Sequence, residues 1–157
     1  MPLFRPTLLL ALLTSPVLAQ DDRVLSAAQM TEGLAACLTS KADPAALTDT
    51  LGKTGWTNAP DANGTLIFTP PDGDNTLVMR PTDAAQCRVE SMDLSTDAAS
   101  VLLAQSLPTP IPPDTDANGC TRFQLADGAS ATLISGDDDT ACTSEDTSAV
   151  LFDFAAP

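Results

Sequence analysis

The 157-residue chain contains no histidine and no tyrosine, and the missing histidine removes whole classes of chemistry. Histidine is the usual general base at neutral pH and the commonest ligand for transition metals. Ser-His-Asp and Cys-His catalysis and His-based zinc sites are therefore excluded. The chain also has no CxxC, GxSxG, SxxK or P-loop motif, so neither a thioredoxin-type redox centre nor a nucleotide-binding loop is expected.

Basic residues are the second shortage. Seven Lys and Arg stand against 21 Asp and Glu, which gives a formal charge of −14 at pH 7. Nucleic acids and anionic lipid surfaces are bound mainly through Lys and Arg, so both are excluded as partners. Two interpretations of the acidity remain: a surface that keeps the protein soluble, or a surface that attracts cations or a basic partner.

Aromatic side chains are the third shortage, at 4% of the chain. Tyr, Trp and Arg are the usual anchors of binding interfaces, so this composition cannot supply an aromatic-rich binding face. Aliphatic side chains must form most of the core. We expect the single tryptophan, Trp56, to be a core residue, because it follows the Gly55 turn at the start of a predicted strand.

The first nineteen residues are typical of a secretory signal peptide. Arg5 provides a positive start, residues 8–13 an apolar run, and Val17-Leu18-Ala19 a small-residue cleavage site. The run is too short for a permanent membrane span. We therefore expect cleavage after Ala19 and a single exported domain, residues 20–157, in the periplasm or secreted, without a membrane anchor.

Four cysteines, an even number in an exported chain, indicate two disulfides. Three connectivities are possible, and we favour Cys37–Cys87 with Cys120–Cys142. The first pair would tie the N-terminal helix to the sheet, and the second would join neighbouring strands. Zinc is the competing interpretation, but the chain has neither CxxC nor histidine.

Periodicity and turn signals favour an α+β fold, in which N-terminal helices pack on an antiparallel β-meander. Ser26 with Gln29 resembles a capping box and predicts a helix over 26–39. Asp43-Pro44 starts a second helix that ends near Gly52. A third helix is predicted over 96–105, followed by an extended proline-rich segment over 108–113. Strands are predicted over 55–57, 65–68, 76–79, 87–90, 120–125, 131–135 and 149–154.

The second half of the chain echoes the first at a shift of 55 residues. The turn Asp61-Ala62-Asn63-Gly64 recurs as Asp116-Ala117-Asn118-Gly119. The same shift aligns Phe68 with Phe123, Asp72-Gly73 with Asp127-Gly128, Asp83 with Asp138, and Cys87 with Cys142. Either a helix-plus-sheet unit has been duplicated, with halves 20–107 and 108–157, or two hairpins use the same turn residues.

The sharpest local motif is the D-x-D-x-N-G sequence at Asp114, Asp116 and Asn118, which matches the opening of a calcium-binding loop. The bidentate Glu expected at its twelfth position is Leu125, and the first-half copy has Ala59 in place of the first ligand. A plain hairpin turn is therefore favoured over a calcium site, and no other cofactor is expected. The acidic run over 137–139 predicts a solvated loop.

These observations predict no catalytic residues. The leading hypothesis is an exported, non-catalytic acidic binding or accessory protein whose partner is a basic or cationic envelope protein. A small carboxylate-dependent hydrolase is the first alternative, because aspartate is plentiful. A purely structural envelope protein is the second. The oligomeric state is left open.

Overall fold

The computed structural model describes residues 18–73, 75–81 and 85–154. Most of the predicted signal peptide, and Asp83 of the 55-residue echo, lie outside these residues. The helices are α1 (Leu18–Ser40), α2 (Pro44–Gly52) and α3 (Thr96–Ser106). The strands are β1 (Thr57–Pro60), β2 (Leu66–Thr69), β3 (Thr76–Arg80), β4 (Gln86–Ser91), β5 (Asp114–Thr115), β6 (Thr121–Gln124), β7 (Ser130–Ile134) and β8 (Ser148–Asp153). A short 3₁₀ turn at Ala126–Gly128 separates β6 from β7.

All eight strands form one antiparallel sheet in the order β1-β2-β3-β4-β8-β7-β6-β5. Its centre is the pairing of β4 with β8, where Val89 lies opposite Val150 and Cys87 opposite Phe152. The three helices pack on one face of this sheet. The α+β prediction, with N-terminal helices on an antiparallel sheet, is confirmed.

The core lies between the helices and this covered face. Its largest fully buried side chains come from both layers: Met30, Leu34, Leu47, Leu51, Leu103, Phe68, Phe123, Phe152, Leu133, Val78, Val89 and Val150. Gly33 brings α1 close to the sheet, because a Cβ there would lie 2.8 Å from methyl groups of both Val78 and Val89. Trp56 is buried, as predicted, and its indole Nε1 donates a hydrogen bond of 2.9 Å to Glu32 Oε2.

The capping box predicted at Ser26 and Gln29 is wrong, because α1 begins upstream at Leu18 and places both residues inside the helix. Both side chains are buried and bind the sheet side of the molecule instead. Ser26 Oγ donates to Asp93 Oδ2, and Gln29 Nε2 donates to the carbonyl oxygen of Asp72. Residues 18–25 contain no Gly or Pro, so nothing in the sequence stops the helix before Ser26.

The start of α2 is as predicted. The Asp43 side chain accepts a hydrogen bond from Ala46 N at 2.8 Å, Pro44 is the first helical residue, and the helix ends at Gly52. Two strand predictions need correction. β1 spans Thr57–Pro60 instead of 55–57, and the two-residue β5 was not predicted at all. The tight turn after β1 needs few residues, so the strand continues to Pro60, and an edge strand tolerates proline.

The repeated Asp-Ala-Asn-Gly turn has the same geometry in both copies. Asp61 Oδ1 accepts hydrogen bonds from the backbone N–H groups of Asn63 and Thr65. Asp116 Oδ1 accepts the equivalent bonds from Asn118 and Cys120. The first copy connects β1 to β2 and the second connects β5 to β6. The two copies therefore share the geometry of the hairpin turn as well as its sequence.

The 55-residue shift does not extend to the remaining strands. Phe68 lies opposite Val78, whereas Phe123 lies opposite Ala131, so the second hairpin is two residues shorter. Cys87 lies on β4, whereas Cys142 lies between β7 and β8. Because α3 contacts β7 and β8, the helix that accompanies the second set of strands precedes the proline-rich segment over 108–113.

Both predicted disulfides are confirmed, with Cα–Cα distances of 5.8 Å for Cys37–Cys87 and 4.7 Å for Cys120–Cys142. The first ties α1 to β4, as expected. The second does not join neighbouring strands: Cys120 directly precedes β6, and Cys142 lies in the connection between β7 and β8. Two disulfides indicate an oxidising compartment. In the part of the chain that the structure describes, no helix has both the length and the apolar character of a membrane span.

Candidate functional site

The sheet face opposite the helices, here called the open face, is not covered by any helix within the described residues. Neighbouring residues of a strand point to opposite faces, and directly paired residues share a face. Since Phe68, Val78, Val89 and Val150 point into the core, the alternate row faces away. That row crosses all eight strands through Ala59, Ile67, Met79, Arg88, Leu151, Thr132, Arg122 and Asp114.

Apolar side chains lie on both sides of Arg88 on the open face. Ile67, Met79 and Leu151 of the row, and Leu77 on the same strand as Met79, are only partly buried. The patch continues through Ile67 into a groove of about 260 Å³ along β1, lined by Thr57, Asn58, Ala59, Pro60, Asp61, Ile67 and Thr69. A sheet face whose apolar side chains are only partly buried is a surface suited to docking.

Arg88 lies at the centre of the open face and is held by two carboxylates. Its Nε donates a hydrogen bond of 2.9 Å to Glu90 Oε2, and one terminal nitrogen donates to Asp139 Oδ1. The other terminal nitrogen donates to the carbonyl oxygen of Gly136 at 3.1 Å. The Arg88 and Glu90 side chains are only 17% and 16% exposed, so this ion pair is shielded from bulk water. Arg88 thus joins the sheet to the segment containing Gly136 and Asp139.

That segment, residues 135–147 between β7 and β8, is here called the strap. Beneath it, Ile134 and Ala149 lie on the open face but are buried, at 6% and 0% exposure. They form a small cluster with Cys120 and the partly buried Cys142, separate from the main core. The strap therefore covers the β7–β8 end of the open face and leaves the patch around Leu151 uncovered.

Hydrogen bonds close both ends of the strap. The Ser135 and Thr147 hydroxyls both donate to Asp137 Oδ1, and these bonds, that of Ser135 first, lower the pKa of the Asp137 carboxyl. Close to Thr147, Ser144 also exchanges hydrogen bonds with Thr96 at the start of α3. Thr96 N donates to Ser144 O, and Ser144 N donates to Thr96 Oγ1. The strap is thus fixed at its two ends, with Arg88 and the disulfide holding its middle.

The acidic run over 137–139 is exposed, but its carboxylates are engaged. Asp138 Oδ1 accepts from the Thr140 hydroxyl and backbone, and these bonds hold the pKa of Asp138 below its ordinary value. Asp139 binds Arg88. Strand alternation over Cys87-Arg88-Val89-Glu90 could have shown that Arg88 and Glu90 share a face. Nothing in the local sequence indicates that the strap meets Arg88, 51 residues away from Asp139.

The residues of the predicted calcium motif are committed to other contacts. Asp114 lies on β5 and pairs with the Arg122 guanidinium at 3.1 and 3.2 Å, which lowers the pKa of the Asp114 carboxyl. Asp116 Oδ1 caps its own turn, and Asn118 donates its backbone N–H to that oxygen. Among the described residues, no group of three or more His, Cys, Asp or Glu side chains could hold a metal ion. The calcium site stays a prediction, whereas the hairpin turn is observed.

A second, polar hollow lies at the start of α3, lined by Ser95, Thr96, Asp97, Thr143, Ser144 and Glu145. Ser95 already caps the helix by accepting from Ala98 N at 3.2 Å. The two carboxylates at its rim are exposed, so the hollow brings together no buried titratable groups. We do not assign it a ligand.

Comparisons with known proteins find no matching family model, no matching curated protein and no matching solved structure. No residue of this chain therefore inherits a role from a relative. The functional assignment rests on the contacts, burial and charge of the open face and the strap.

Proposed function

We propose that the chain is an exported, non-catalytic binding protein that docks a basic protein partner on its open face. The observation that carries this proposal is the asymmetry of the sheet: one face is covered by three helices, and the other presents Ile67, Leu77, Met79 and Leu151, which are only partly buried. The two disulfides support an oxidising compartment, and the signal-peptide pattern of residues 1–19 supports export to the periplasm or the exterior.

The charge around the patch defines the partner's chemistry. Both arginines of the open face, Arg88 and Arg122, are already paired with carboxylates of this chain. Further carboxylates, such as Asp153 at the end of β8, are exposed, and the whole chain carries a charge of −14. A partner that fits presents apolar side chains ringed by Lys or Arg. Apolar contact at the centre would supply most of the affinity, and the charged rim would supply orientation and fast association.

The hydrolase alternative receives less support from the geometry. A carboxylate-dependent hydrolase needs one carboxyl in an environment that keeps it protonated near neutral pH. No Asp or Glu side chain among those described is buried. The three aspartates with resolved shifts, Asp114, Asp137 and Asp138, all have lowered pKa values. These observations favour binding over hydrolysis.

Site-specific photocrosslinking tests the proposal. One variant of the mature, oxidised protein carries the crosslinking side chain at Leu151 on the open face, and its matched control carries it at Val101, which is exposed on α3. Both are irradiated in native envelope extract at low and high salt. We expect one basic protein to be captured from position 151 only, with a yield that falls at high salt. Capture from both positions, capture of an acidic protein or a salt-independent yield would contradict the proposal.

A further inference from the structure

We propose that the strap is a redox-controlled cover of the open face. Reduction of Cys120–Cys142 by a dithiol would release the middle of the strap and extend the open face to Ile134 and Ala149. The release itself depends only on the contacts of the strap. Its consequence, a larger docking surface, rests on the proposed function.

The two disulfides differ in access, and this difference makes selective reduction possible. Cys37 and Cys87 are both 0% exposed, in the core between α1 and β4. Cys120 is 3% exposed, but Cys142 lies on the strap and is only partly buried. Thiol–disulfide exchange requires a thiolate to reach one sulfur atom. Cys142 Sγ is the sulfur that a reductant can approach without unfolding the core.

The exchange balances with a dithiol as the reductant. One thiolate of the dithiol attacks Cys142 Sγ, which breaks the protein S–S bond and expels Cys120 as a thiolate that takes up a proton. The second thiol of the reductant, as its thiolate, then attacks the reductant sulfur of the mixed disulfide and releases Cys142. The protein gains two thiols and two electrons, and the dithiol is oxidised to a disulfide.

Once that bond is broken, the middle of the strap keeps the contacts of Arg88 with Asp139 and with the carbonyl oxygen of Gly136. It also keeps the backbone hydrogen bond of 2.7 Å from Ser135 N to Ala141 O. The Asp139 carboxylate is 73% exposed, so salt and water weaken its contact with Arg88. The hydrogen bonds among Ser135, Asp137 and Thr147 persist at the base. Opening is therefore local, because the main core lies on the opposite face and keeps its own disulfide.

The opening is measured without any partner. The oxidised mature protein is titrated with dithiothreitol under native conditions, alkylated and analysed by mass spectrometry, with hydrogen exchange followed in parallel. We expect Cys120 and Cys142 to be alkylated before Cys37 and Cys87. Faster exchange should be confined to residues 134–149. Reduction of both disulfides in one step, or unchanged exchange across the strap after selective reduction, would overturn the proposal.

The double variant Cys120→Ser with Cys142→Ser provides a reductant-free check. It should reproduce the exchange pattern of the selectively reduced protein, whereas a variant that retains wild-type exchange in the strap would contradict the proposal. Crosslinking from position 151 in this background then tests the consequence, with a higher yield expected. Faster hydrogen exchange in the strap with no crosslinked partner in either redox state would contradict the docking function and support the redox-controlled cover. Crosslinking with an unchanged strap would do the reverse.

Discussion

The two faces of the sheet differ in what covers them, and each has its own disulfide. On the helix-covered face, Cys37–Cys87 lies in a continuous core that spans both halves of the chain. On the open face, Cys120–Cys142 lies over a cluster of only a few residues at one end. We therefore expect most of the stability to come from the covered face, whereas the open face is the surface proposed for docking. Four predictions test this division, from the largest expected effect to the smallest.

Removal of each disulfide should separate the two faces most clearly. Replacing Cys37 and Cys87 with alanine opens a sequence separation of 50 residues, and replacing Cys120 and Cys142 opens one of 22. The loss of loop-closure constraint predicts destabilisation of about 4 and about 3 kcal/mol, and the buried site adds a packing loss to the first. Denaturant unfolding measures both. Greater destabilisation from the loss of Cys120–Cys142 would contradict the expectation that the covered face contributes most of the stability.

Two neighbouring residues of β8 offer a sharper comparison. Val150 is fully buried on the covered face, and Leu151 is only partly buried on the open face. Val150→Ala should cost about 2 kcal/mol of unfolding free energy, because it leaves a cavity in the core. Leu151→Ala removes more atoms but should cost about 1 kcal/mol of unfolding free energy or less, because the side chain is only partly shielded from water. Urea midpoints measure the difference, and equal losses would mean that the open face is covered.

The two arginines of the open face should behave differently. Arg88 holds a shielded carboxylate and the strap, whereas Arg122 pairs with the exposed Asp114. Arg88→Met should destabilise the fold by about 1–2 kcal/mol and speed exchange in residues 135–147. Arg122→Met should cost about 0.5 kcal/mol or less. Similar losses of unfolding free energy from both variants, with unchanged hydrogen exchange in the strap, would contradict the role given to Arg88.

Acid should loosen the strap before the core. The pKa of Asp137 in the folded protein lies below the ordinary 3.8, because Ser135 and Thr147 donate to its charged form. The stabilisation it provides is complete above pH 3.8 and is lost as pH falls through the lower, folded-state value. Hydrogen exchange in residues 135–147, corrected for its intrinsic pH dependence, should rise in that window. Asp137→Asn should reduce this acid response but not abolish it, because the pKa of Asp138 in the same segment is also lowered. An acid response unchanged by the substitution would contradict the assignment.

Local signals predicted the parts of the fold that depend on local chemistry. Asp43-Pro44 marked the start of α2 because capping involves only the next few residues. The Asp-Ala-Asn-Gly turns marked both edge hairpins for the same reason. The disulfide pairing also followed, since Cys37 lies on the apolar stripe of α1 that packs on β4.

What could not be predicted depends on contacts between distant segments. Ser26 and Gln29 match a cap by spacing, but their partners Asp93 and Asp72 belong to other elements. The path of the strap over the open face is set by Arg88 and by Cys120, both remote in sequence from the strap. The open face itself became visible only when strand order placed eight short strands in one sheet. Alternation within one strand tells which side chains share a face, not whether that face is covered.

The most direct test of the account is affinity capture from native envelope extract with three oxidised proteins: the wild type, Leu151→Asp on the open face and Val101→Asp on α3. Both substitutions add one negative charge at a partly or largely exposed position, so they differ mainly in the face they alter. We expect the wild type and Val101→Asp to retain the same basic protein at low salt. Leu151→Asp should lose that protein, and high salt should reduce its retention by the wild type and by Val101→Asp. Equal retention by all three proteins, or retention that ignores salt, would contradict docking of a basic partner on the open face.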